Sequence, residues 1–290
     1  MVGKIIKAVR ICRGYLKQEA RSVRTIWVVF LFFIFSNIFT EEILNFSKTT
    51  GYGITPWIGI FFTTTRFARL ITYVIFLLVI SNLPFREEND IYFLIRSGRF
   101  SFCMGNLFYV FVNAGAASFF LLFLSGIWGI GTMEWSPDWG KVLGTLAMTD
   151  AGSQFNHSVI VGSKLITNFA PATCAVLVFF LQTFCFFFLG ELYIVCNLLS
   201  GKRNYGLFVC GILILFDFMV QSEPTIWRAS YFSPVTWSNL ACLDLKRNVS
   251  VFPSVTYAIA MYLIIDIALA AVVLRLSKYL KIDESEEKHE

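Results

Sequence analysis

Three carboxylates fall within or at the edge of long apolar stretches: Glu191, Asp217 and Asp266. A charge at membrane depth is costly unless it is paired, protonated or wetted, so each is a candidate intramembrane polar site. Asp266 lies near the middle of its stretch. It reads either as a transport residue or as a bond to a polar side chain on a neighbouring helix, such as Gln182, Asn113 or Thr183. Asp217 is expected near the outer end of its stretch, reaching interfacial water. Glu191 stands about two turns from the inner end of its stretch, where a tilted, projecting helix would leave it wet. No proton relay follows from these three on spacing alone.

Constellations for catalysis are missing. Only two histidines occur, His157 and His289, and no H-E-x-x-H, G-x-S-x-G, C-x-x-C or G-x-x-x-x-G-K-[ST] pattern is present. An enzyme would need a nucleophile, metal ligands or paired acids in a dry site. The expectation is a chain that is not an enzyme and holds no cofactor or metal, so that uphill work would draw its energy from elsewhere. Cys174, Cys185, Cys196 and Cys210 fall in or at the ends of apolar stretches and Cys12 and Cys103 on the expected inner side, which points to free thiols; Cys242 alone is expected outside. Three sequons begin at Asn45, Asn156 and Asn248 in expected outer segments. They are glycosylation sites only in a eukaryote, and otherwise chance tripeptides.

A charged stretch, Leu83–Phe102, LPFREENDIYFLIRSGRFSF, interrupts the apolar chain. Leu70–Leu83 before it and Phe100–Met133 after it carry no charge. Ile91, Phe93, Leu94 and Ile95 sit there among Arg86, Glu87, Glu88, Asp90, Arg96 and Arg99, a mixture suited to a short helix lying along a membrane surface.

The frame that must position these residues is a membrane. Of 290 residues 57% are apolar and 17% aromatic, more hydrocarbon than a soluble core hides. The apolar stretches run to about 20 residues or longer, the length of helix that crosses roughly 30 Å of hydrocarbon, and the ten-residue alternation of a barrel is absent. The fold class expected is an all-α polytopic membrane protein. Residues 1–24 form an amphipathic interfacial helix, with Val2, Ile5, Val9, Cys12, Leu16, Ala20 and Val23 opposite Lys7, Arg10, Lys17, Arg21 and Arg24. A targeting presequence is the alternative, but the basic face runs directly into a span and no small-residue cleavage pattern precedes it. Six spans are expected at about 25–46, 66–83, 104–130, 171–199, 207–220 and 253–274, within a domain of 25–275, followed by a charged tail over 276–290. Arg66 and Arg69 either snorkel to the interface or face a polar pathway. Gly105, Gly115, Ala116, Ala117, Ser118, Gly126 and Gly129 offer small surfaces for close helix approach.

Orientation follows from charge. With both termini inside, sixteen of the 24 basic residues fall on inner segments and eight on the longer outer ones. The net charge of +5 then has its source in the Lys and Arg of the inner segments, which set orientation and meet anionic lipid heads, and is weak evidence for a nucleic-acid partner.

Six spans, a basic amphipathic helix entering the first, and a charged hairpin between the second and third together resemble an ABC transporter permease of the type 2 exporter class. The stretch Ser81–Tyr109 is similar to the inner hairpin of small bacterial permeases, with weaker support from Asp138–Phe155 and Tyr231–Leu240. The resemblance implies that Glu87–Arg99 is a coupling helix resting on an ATP-binding cassette subunit, with Glu87, Glu88, Asp90, Ile91, Tyr92, Leu94, Arg96 and Arg99 as coupling residues. It also implies a second permease copy as partner, ATP and Mg on the ATPase chain, a plasma-membrane location, and export of an amphipathic or apolar substrate such as a peptide, lipid or drug. A proton-coupled carrier using Asp266 and Glu191 is the alternative.

Overall fold

The computed structural model describes residues 2–84, 90–149, 151, 161–201, 204–244 and 251–279. Among these the chain is helical, without strands. In order the helices are α1 (Val2–Glu19), α2 (Val23–Thr50), α3 (Arg66–Ile80), α4 (Asp90–Ser97), α5 (Arg99–Trp128), α6 (Gly140–Met148), α7 (Ser163–Asn168), α8 (Pro171–Ser200), α9 (Tyr205–Ser222) and α10 (Val255–Leu276). Tight 3-10 segments fill Pro56–Thr63, between α2 and α3, and most of Pro224–Cys242, between α9 and α10.

Five helices, α2, α5, α8, α9 and α10, are long and apolar enough to cross a membrane, and their unpacked faces carry exposed Phe123, Phe180, Phe208, Ile264 and Ile267. The protein is therefore a membrane protein. The expected second span, about 66–83, corresponds to α3. Helix α3 has 15 residues, about 22 Å of rise, short of the hydrocarbon thickness. It passes as a span only together with Pro56–Thr63, from which it is bent by 84°. Residues between the expected first and second spans thus enter the protein: α2 continues to Thr50, and Ile58, Ile60, Phe61 and Phe62 are buried.

Helices α5 and α8 form the centre. They touch where Gly190 faces Val110; a Cβ on Gly190 would lie 2.2 Å from a Val110 methyl, so only glycine allows this approach. Around them α8 packs on α3, α9 and α10, and α5 on α1, α2 and Pro56–Thr63. Contact pairs fix directions. Tyr73 meets Gln182 and Tyr193 meets Ser81, so α3 and α8 run the same way. Cys210 donates to the Leu189 carbonyl and the Gly206 amide to Asn197 Oδ1, so α9 runs back along α8.

Helix α1 differs from the expected surface helix. One face is packed along the first half of α5: Lys4 lies over Phe100, Ile11 fills the space at Gly105, and Tyr15 meets Tyr109 edge-on. The buried face is Ala8, Ile11, Cys12 and Tyr15, while Val2, Ile5 and Val9 of the expected apolar stripe are exposed. The two stripes share Cys12, and helical periodicity alone did not choose between them.

Candidate functional site

At the end of the bundle that carries the 3-10 segments, Arg69 of α3 and Asp217 of α9 form an ion pair of 3.2 Å. Both are buried, Arg69 to 2% exposure, and a charge removed from water demands partners. Arg69 Nη2 also donates to the Val235 carbonyl at 2.7 Å and to Ser238 Oγ at 3.2 Å. Asp217 Oδ1 accepts from Gln221 Nε2 at 2.6 Å and Thr236 Oγ1 at 2.7 Å. Tyr73 joins by hydrogen-bonding Ser238 and Gln182. The network ties α3, α8 and α9 to the Pro224–Cys242 segment. Arg69 does not snorkel and Asp217 does not reach interfacial water, because each supplies the counter-charge that makes the other's burial tolerable. Arg66, one turn earlier, is exposed.

Glu191 of α8 and Asp266 of α10 stand on two helices that pack together, and the charge of Asp266 reaches Glu191. The two helices run the same way, since Phe184 stacks on Tyr262 one to two turns earlier. Glu191 is 0% and Asp266 6% exposed, so Glu191 is not wetted. None of their four carboxyl oxygens has a hydrogen-bond partner among the described residues. The partners expected for Asp266 are engaged elsewhere: Gln182 with Tyr73, Thr183 with the Phe179 carbonyl, and Asn113 with Glu19. A buried carboxyl group without a partner is costly, so each remains a candidate for proton uptake.

The charged hairpin lies at the other end. Glu87 and Glu88 lie outside the described residues, as do the side chains of Asp90, Ile91 and Tyr92, which stand in α4. The expected helix over 87–99 is divided: α4 ends at Ser97, Gly98 takes φ 86°, and Arg99 is the first residue of α5. Leu94 is a buried peg at 3% exposure, whereas Ile95 is 66% exposed and Arg96 is exposed beside it. Helix α4 packs on both α1 and α5, and Arg99 Nη1 donates to the Lys278 carbonyl just past α10 at 3.0 Å.

A fourth feature was not anticipated. Where α1 breaks into α2, capped by Ser22 Oγ accepting from the Thr25 amide at 3.2 Å, the two helices, the end of α3 and the middle of α5 line a half-open cavity of about 450 Å³. Its lining includes Glu19, Arg24 and Asn113 on one level and Phe32, Phe76 and Phe120 on another. Glu19 is legible in sequence only as a charge at the end of a basic helix, with no sign of the tyrosine and asparagine that α5 brings to it. Comparison of the chain with protein-family models, curated proteins and solved structures finds no match.

Proposed function

We propose that the chain is the membrane-spanning permease subunit of an ATP-driven exporter, working with separate ATP-binding cassette subunits and a second permease copy and moving an amphipathic or apolar substrate. One observation carries this reading: α4 is pegged by Leu94 against α1 and α5 while Ile95 and Arg96 face outward. A short helix seated on two others and joined to one of them by a single glycine can pass a push from a soluble motor into the bundle. The tie from Arg99 to Lys278 extends the same end of the structure to α10. Placement in a plasma membrane with this end in the cytoplasm belongs to the same proposal and accords with the clustering of Lys and Arg there.

The test is purification of the full chain from its native membranes. An ATP-hydrolysing subunit, identified by nucleotide photolabelling, is expected to copurify, to be lost with Ile95→Glu/Arg96→Glu, and to be retained with the lipid-facing Phe123→Ala. Retention in the double variant removes the coupling role. The partnerless Glu191 and Asp266 favour a second reading, a proton-coupled carrier without nucleotide. Transport that persists without ATP and disappears in Asp266→Asn would select it.

A further inference from the structure

The cavity at the α1–α2 break has the form of a ligand site. Its volume of about 450 Å³ falls in the range of roughly 300–1,000 Å³ that accommodates drug-sized molecules. Two charged residues line it, Glu19 and Arg24. Glu19 Oε2 accepts hydrogen bonds from Tyr109 and Asn113, both neutral, so the carboxylate is fixed in place without being neutralised. No described cation lies within ion-pair distance of it. Arg24 instead donates to Ser81 Oγ at 2.6 Å, at the end of α3.

The remaining walls are apolar and aromatic. Phe120 lies seven residues beyond Asn113 on α5, about 10 Å further along the axis. It meets Phe32 edge-on at a centroid distance of 6.1 Å, and Phe76 closes the α3 side, backed by a stack on Phe186 at 4.2 Å. The rings stand about 10 Å from the held carboxylate, beyond the reach of a cation–π contact with a charge bound there, so the carboxylate sets the sign of the ligand's charge and the rings receive its apolar part.

We propose that the crevice between α1, α2, α3 and α5 binds a lipophilic organic cation, with its charge toward Glu19 and its apolar body among Phe32, Phe76 and Phe120. This deepens the exporter reading by naming a substrate class, and its meaning as a transport site rests on that reading. The binding itself does not.

The experiment uses the full chain alone in nanodiscs of zwitterionic lipid, with tritiated tetraphenylphosphonium as probe, empty nanodiscs as background, and tetraphenylborate as a competitor of the same shape and opposite charge. Glu19→Gln and Phe120→Ala are each expected to weaken binding by about tenfold. Arg24→Gln removes the opposing charge and is expected to tighten it by about threefold. The tightening variant keeps the outcome readable should a weakening variant fold poorly. Phe123→Ala should change nothing, and tetraphenylborate should not compete. Equal binding by wild type and Glu19→Gln, or competition by tetraphenylborate that Arg24→Gln abolishes, overturns the proposal. A chain that binds the cation but recruits no ATPase breaks the exporter reading alone; one that recruits an ATPase but shows only background binding breaks the site alone.

Discussion

Arg69 and Asp217, from helices that the sequence separates by five intervening elements, meet as a buried ion pair at 3.2 Å and fix the bent α3 to α9. Each supplies the counter-charge for the other's burial, so removing one leaves an uncompensated buried charge. Arg69→Met or Asp217→Leu alone is expected to cost about 3–5 kcal/mol, and the double variant distinctly less than the sum. Thermal unfolding of the purified variants in one detergent checks this. Additive losses would show that the two side chains do not act as a pair.

Glu191 and Asp266 behave in the opposite sense. A buried carboxyl without a partner destabilises the fold, so Glu191→Met and Asp266→Leu are each expected to raise stability by about 1–3 kcal/mol. The same unfolding assay reads the sign. A fall in stability would reveal partners for these oxygens.

Close approach of α5 and α8 depends on Gly190. Gly190→Val drives two methyl groups into Val110 and is expected to cost about 1–3 kcal/mol or more, while Gly190→Ala combined with Val110→Ala should regain much of the loss seen in Gly190→Ala alone. Failure of the second substitution to rescue the first would place the strain elsewhere.

Labelling of single cysteines with a membrane-impermeant maleimide tests the orientation of the whole bundle. Arg96→Cys, exposed on α4, is expected to react in inside-out vesicles only, and Trp135→Cys, 83% exposed in the connection after α5, in right-side-out vesicles only. The reverse pattern would turn the bundle over and end the motor-docking proposal.

Much of this architecture can be read directly from the chain. Apolar runs mark α2, α5, α8, α9 and α10 to within a few residues, because crossing hydrocarbon is a demand on length and composition that a linear pattern meets locally. The entry at Pro171 is as local, whereas the break at Gly98 divides a helix expected over 87–99. Pro56–Thr63 escaped because an eight-residue apolar run with a proline at its start is too short to span anything by itself, and only its fit beneath α3 and α5 explains its composition.

What the sequence by itself determined is therefore which segments leave water and where the charged hairpin interrupts them. The tertiary structure decided which polar groups meet: Arg69 with Asp217, and Glu19 with the tyrosine and asparagine of α5, while Glu191 and Asp266 are buried without partners among the described residues. The physical reason is that solvent preference belongs to each residue and survives in a one-dimensional pattern. Pairing across helices depends on their rotation and relative depth, which are set by the packing of neighbours such as Gly190 on Val110 and by nothing along the chain.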